Sequence, residues 1–413
     1  MDATASGDPV WFVGAGWLTA QEKLVTLRLG IAGMPENLDD ILGLCAQLDV
    51  EPVHLLGPGE SPPRPLPQTV VLPRWDAESC ASAARGESLT GLWAGSCTLA
   101  PIVGEASSAL GLPCLPCLDE AQQAAIPIEG ATVYPFSALA SLSDSEIQRL
   151  PIPAWVRAAC TRGDSSCMRL EHPNDLPLAS AKLQKRNTGG PLRIQPVIEG
   201  PVYRLLAFKT GESLAVAGLI AEDMTSSVYR VPLGMSLPVT LSDALLGEAH
   251  VMAGRVNALL PKGWGYVEME FVDTGNDIRL IDVQCPASLD PHLRQLVWLS
   301  QGIDLRLAAM ACALGRVPAL SPTHNTGAAM MWLLARSGVV IGFQGIEEAR
   351  AMPGIVGLHI VAAEGDILSH VVDIPSRERG GYIIATGDTA AMARDRLEAA
   401  RAQARINTSP ALV

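Results

Sequence analysis

The chain has 413 residues, enough for two or three domains, and 48% of them are hydrophobic while 4% are aromatic and 18% charged; this is the composition of packed globular cores, not of a disordered chain. A formal net charge of −13 excludes nucleic acid and an anionic membrane as main partners. With no leader that couples basic residues to an apolar run, and no apolar stretch of about 18 residues, a soluble cytoplasmic protein is expected.

An odd count of nine Cys suits reduced thiols better than a disulfide framework. The single C-x-x-C, Cys114 and Cys117, has no second pair and reads as two small thiols at a strand end. No Ser/His/Asp signature, G-x-S-x-G elbow or H-E-x-x-H helix stands out. His292 and His324 read as satisfied structural histidines.

Along the chain, an apolar run at Val10 to Val13 ends in Gly14-Ala15-Gly16, and helical patterns follow around Thr19 to Leu29 and over Glu36 to Leu48. Thr19 occupies the third glycine position of G-x-G-x-x-G, so a dinucleotide loop is discounted. Strand-like runs recur at Pro52 to Leu56, Val70 to Leu72 and Leu89 to Trp93, and this β/α alternation predicts a parallel open sheet. Further strands are expected at Val202 to Phe208 and Leu214 to Ile220. Leu241 to Leu260 predicts an amphipathic helix capped by Ser242 and stopped by Pro261.

The stretch from Gly263 to Ser288 predicts a β-hairpin: Val267, Met269 and Phe271 alternate with Glu268 and Glu270, and Ile278 to Val283 resumes after a Thr274-Gly275-Asn276-Asp277 turn. Period-2 pleating puts Glu268 and Glu270 on one face, where the returning strand brings Asp282 beside them. Such carboxylates either sit in water or share a hard divalent cation such as Mg²⁺. Helices are expected at Asp290 to Trp298 and Ile303 to Leu314, the second capped by Asp304. After a Pro-containing break at Pro318 to Pro322 come strands at 328–334, 338–343, 355–363, 367–372 and 381–385, a short helix at 346–351 and a terminal helix at 389–406.

Three of these stretches resemble the ATP-grasp superfamily, and in particular its L-amino-acid ligase (carboxylate-amine ligase) branch. The hairpin resembles the metal-binding hairpin H-x-E followed, twelve positions after its Glu, by E-x-N-x-R. Here Glu268 stands for the His, Glu270 keeps the Glu, and Asp282, Gln284 and Pro286 stand for the Glu, Asn and Arg. Ile194 to Val202 is similar to the interdomain hinge E-x-x-(L/I)-x-G-x-E, with Gln195 near the first Glu, Ile198 and Gly200 matching, and Val202 at the ribose-binding Glu. Gly381 to Thr389 is similar to the C-terminal phrase G-Y-h-h-A-x-G-x-T.

The resemblance implies an α/β chain, α+β in part, with the ATP-grasp fold: a Rossmann-like pre-ATP-grasp domain over residues 1–115, a two-lobed ATP-grasp domain over 116–317 hinged near 195–198, and a small C-terminal L-amino-acid-ligase-type domain over 318–413. It implies ATP and Mg²⁺ as cofactors, with Glu270 and Asp282 as metal ligands. Arg157 stands at the second phosphate-binding Lys of the strand P-x-V-V-K, and a flap containing Gly163, Ser165 and Ser166 would cover the phosphates. Gln195 and Ile198 would hold adenine through the backbone, and Arg157 and Gln284 are the catalytic candidates. Where the family has a first phosphate-binding Lys, the sequence reads Asp119-Glu120.

The expected activity is an amide or peptide bond formed between small amino-acid-type substrates through an acyl phosphate. The alternative is a catalytically inactive pseudo-ligase, a binding or partner subunit that works as a homodimer or beside an active ligase.

Overall fold

A computed structural model describes residues 26–34, 38–61, 68–96, 99–116, 118, 122, 125–128, 130–134, 142–158, 167–184, 192–226, 228–285 and 289–410. Val10 to Thr19, Cys117, Asp119, Glu120, Gly163, Ser165, Ser166 and Pro286 lie outside them.

At the N-terminal end four parallel strands run in the order Thr69–Val71, Val50–Leu56, Leu27–Ala32, Gly91–Ala94. Leu27–Ala32 corrects the helix expected to reach Leu29. Its Leu-Arg-Leu-Gly-Ile-Ala run is a central strand whose Leu29, Ile31 and Ala32 are fully buried, and a short apolar run of this kind cannot be told from a helix end by periodicity. The other three strands and the helix Leu38–Leu48 fall where the β/α alternation puts them.

A second sheet is antiparallel, in the order Thr132–Tyr134, Leu192–Pro196, Ala154–Ala158, Cys167–Leu170. Its apolar residues pack with the helix Leu176–Gln184.

The third and largest sheet has eight antiparallel strands, in the order Ile278–Gln284, Gly263–Asp273, Val202–Gly211, Ser213–Met224, Pro232–Leu237, Gly327–Trp332, Gly381–Gly387, Ile355–Ile360. The last three strands follow the Pro-containing break in sequence, yet they extend the same sheet. Its two faces carry separate cores, because successive side chains on a strand point to opposite sides. Leu205, Ala207, Val267, Met269 and Phe271 face the helix Asp243–Leu259 through Ala249, Ala253 and Val256. Leu206, Phe208 and Tyr266 face the helices Pro291–Gln301 and Leu305–Ala313.

Two of these helices start at the expected caps, Ser242 accepting from the Leu245 N–H and Asp304 from Arg306 and Leu307, and the third is capped by Asp290, which accepts from His292 and Leu293. At the C-terminal end the helix Ala390–Gln403 stops short of the expected 406, and Arg405–Ser409 forms an edge strand beside Gly338–Gln344. The expected strand over 367–372 is reduced to Ile367–Leu368, and a short helix, Ile374–Glu378, follows it.

A buried arginine–carboxylate cluster between two sheets

Along the strand Val202–Gly211 one face reads Phe208, Leu206, Arg204, and along its neighbour Gly263–Asp273 the same face reads Tyr266, Glu268, Glu270; Glu270 pairs in register with Arg204 and, on its other side, with Asp282. The face that is apolar under the helices thus becomes charged toward the second sheet. A bulge follows Glu270, between it and Phe271.

The second sheet presents the opposite sign. Arg157 and Arg193 are cross-strand partners on it, an arrangement of like charges that is unfavourable without a counter-ion. Asp282 supplies one: its Oδ2 is 2.8 Å from Arg157 Nη1 and its Oδ1 is 2.8 Å from Arg193 Nη1. Arg157 Nη1 also lies 3.4 Å from Glu270 Oε2. A pair of cations on one sheet therefore meets a pair of anions on the other, with all four side chains at least nine-tenths buried.

Arg204 extends the cluster. Its Nε and Nη2 donate to the two oxygens of Glu222 at 2.9 and 3.2 Å, its Nη2 to Glu270 Oε1 at 2.9 Å and its Nη1 to Glu268 Oε2 at 2.5 Å. Arg230 approaches Glu270 Oε2 at 4.0 Å. Four arginines, Arg157, Arg193, Arg204 and Arg230, thus face four carboxylates, Glu222, Glu268, Glu270 and Asp282. Gln284 Nε2 donates to Asp282 Oδ2 at 2.7 Å.

Burial pushes the Glu270 carboxyl up, but the Arg157, Arg204 and Arg230 guanidinium groups overcome it and hold the group down at about 2. For Glu222 and Glu268 the balance is reversed: burial raises both, and their shared partner Arg204 only offsets it. Arg204 itself is raised well above its ordinary value, because three carboxylates act on one guanidinium against its burial. Arg193 is lowered, by burial first, with the Arg157 charge adding to the shift and Asp282 opposing it.

Of the residues singled out in the sequence, Arg157, Glu270, Asp282 and Gln284 come together at this point. Gln195, 2% exposed, is the cross-strand partner of Trp155, and its Oε1 has no hydrogen-bond partner among the described residues. Ile198 packs against the apolar group Val202, Val272 and Ile281. Val202, the residue that the resemblance sets against a ribose-binding Glu, is thus part of an apolar cluster. The Val197 N–H donates to Pro153 O at 3.0 Å. Gly200 has φ +147°, and a Cβ there would fall 2.0 Å from Asp273 O, which explains the glycine.

Arg193, Arg204, Arg230 and Glu222 were not singled out. For Arg193 and Arg204 the available signal was an arginine inside an otherwise apolar strand, which implies a buried counter-ion. His292 stacks edge-on against Trp332 and Tyr382 at 4.7 and 4.6 Å, and His324 Nε2 lies 3.2 Å from Leu299 O, so both act as structural groups. A cavity of about 420 Å³ lies between the N-terminal sheet and the base of the hairpin, lined among others by Trp93, Ser96, Leu115, Tyr266, Cys285 and Arg294. Tyr266 and Cys285 flank the Glu268–Gln284 pair, so the cavity adjoins the cluster.

A magnesium ion asks for near-octahedral oxygen ligands, several of them waters. Both oxygens of Asp282 and both of Glu270 already face guanidinium nitrogens, and no group of three or more His, Cys, Asp or Glu among the described residues is arranged to hold a metal. The donor set as it stands does not fit the ion.

Two antiparallel sheets joined through a buried charged cluster, with a parallel sheet at the N-terminal end, make up the ATP-grasp fold. The C-terminal domain is of the L-amino acid ligase type: residues 331–409 match the family described as L-amino acid ligase C-terminal domain 2. The chain is similar in structure to an L-amino acid ligase from Bacillus licheniformis, with a TM-score of 0.72 at 17% identity over 93% of this chain and 99% of that one. It is also similar to a phosphoribosylglycinamide synthetase from Anaerococcus prevotii (TM-score 0.61, 14% identity, 93% and 100% covered). A third similar structure is an N5-carboxyaminoimidazole ribonucleotide synthetase from Thermotoga maritima (0.62, 13%, 93% and 100%). No curated protein matches the chain by sequence.

Proposed function

We propose that this chain is a carboxylate–amine ligase-like protein that takes ATP in the cleft between the two antiparallel sheets and small amino-acid-type substrates in the adjoining cavity. The observation that carries the reading is the convergence of Arg157 and Arg193 with Glu270 and Asp282 between those sheets, because catalysis of phosphoryl transfer consists of positioning and charge neutralisation. Bound ATP would supply the phosphoryl group that activates a carboxylate. Arg157 would hold the transferring phosphate, and the Gln284 amide, fixed by Asp282, would orient the carboxylate. The cavity beside Tyr266 and Cys285 would seat the amine and limit its size. The neighbours bear on this reading through two related structures from Aspergillus clavatus, carboxyaminoimidazole ribonucleotide synthases in complex with ATP and with ADP and 5-aminoimidazole ribonucleotide.

The test is ADP release across a panel of amino-acid pairs on the full chain. Amino-acid-dependent ADP release that falls at least about 100-fold in Arg157→Gln is the expected result. Silence over the whole panel with a folded protein would contradict it. Two observations favour the second reading, a pseudo-ligase that binds without turnover, alone as a homodimer or beside an active ligase: the carboxylates are neutralised from within the protein, and Val202 sits in apolar packing where the ribose would need a carboxylate.

A further inference from the structure

We propose that guanidinium groups replace the divalent cation in this chain, so that the cleft takes a polyphosphate anion directly on the unpartnered N–H groups of Arg157 and Arg230, without Mg²⁺. The proposal rests on the reading that the cleft receives a nucleotide, and it specifies how the phosphates are held.

Three observations carry it. First, Arg157 Nη1 stands 2.8 Å from Asp282 Oδ2 and 3.4 Å from Glu270 Oε2. That is the point between two carboxylates that a bridging cation would take, and a second positive charge there would meet a fixed one at contact distance. Second, the remaining oxygens are taken by other cations, Asp282 Oδ1 by Arg193 at 2.8 Å and Glu270 Oε1 by Arg204 at 2.9 Å. Third, the cluster holds more donors than acceptors. Nε and Nη2 of Arg230 and Nε of Arg157 are buried with no hydrogen-bond partner among the described residues, and the two side chains are 8% and 5% exposed. Both arginines approach the same carboxylate oxygen, Glu270 Oε2, at 3.4 and 4.0 Å, which places them beside one another.

Buried N–H groups of a guanidinium are satisfied by an acceptor, and its planar fork matches the oxygens of a phosphate. A fixed arginine supplies the charge that a metal supplies elsewhere, and it cannot dissociate.

Two probes test this on the full chain. In a Mn²⁺ titration followed by electron paramagnetic resonance, the wild type is expected to leave the free-ion signal unchanged. In calorimetry, inorganic tripolyphosphate is expected to bind equally well in EDTA and in Mg²⁺, and Arg230→Gln to weaken it by about ten- to a hundredfold. Among the described residues Arg230 makes a single ion pair, at 4.0 Å, so this variant is expected to keep the fold, which an unfolding curve verifies. Mn²⁺ captured by the wild type and released in Glu270→Gln would overturn the proposal, as would tripolyphosphate binding that requires Mg²⁺ or does not occur. Tripolyphosphate binding in EDTA without ADP release on any substrate pair would sink the ligase reading and leave this one standing.

Discussion

Arg204→Met is expected to cost about 3–5 kcal/mol of stability, the loss typical of stranding a buried charge by removing its partner. Three carboxylates, Glu222, Glu268 and Glu270, share this one guanidinium, and their side chains are 1%, 7% and 9% exposed. No other cation replaces it for Glu222 or Glu268 among the ion pairs of the described residues. Methionine keeps much of the apolar length, so the loss reports the charge and not a cavity. Urea unfolding of the two proteins measures it. Because a domain is stable by only about 5–15 kcal/mol, such a loss would appear as a large drop in midpoint, and a difference within about 0.5 kcal/mol would mean that the carboxylates are protonated or solvated.

Asp282→Asn is the second large effect, for the converse reason. Arg157 and Arg193 face one another in register, and Asp282 is the anion that both contact at 2.8 Å. With a neutral amide in its place Arg193 loses its 2.8 Å ion pair, and among the described residues Arg157 keeps the 3.4 Å contact to Glu270. A loss of about 3–5 kcal/mol is again expected, and because the two arginines then repel, added sulfate or phosphate is expected to restore part of it. A variant as stable as the wild type, and indifferent to anions, would show that the two sheets do not meet through this carboxylate.

The hairpin was legible in the sequence because alternation and a Gly-Asn-Asp turn fix its register, and register alone sets Glu270 beside Asp282. The caps at Ser242 and Asp304 were legible for the same local reason. What opposes the carboxylates was not. Arg157, Arg193, Arg204 and Arg230 come from separate segments, and two of them, Arg157 and Arg193, reach the hairpin only by packing of one sheet on another. A resemblance to a metal-binding hairpin draws attention to oxygen ligands, whereas the counter-charge is written in single arginines, three of them inside strands. The C-terminal edge strand Arg405–Ser409 was missed because Ala404 leaves the helix without a Gly or Pro to mark the stop.

The central claim is that the carboxylate hairpin is held by arginines of the facing sheet. A double-mutant cycle between Arg193→Met and Asp282→Asn, read by urea unfolding, tests it most directly. The pair is expected to couple by about 1.5–3 kcal/mol, as contacting buried partners do. Losses that add to within about 0.5 kcal/mol would contradict the claim.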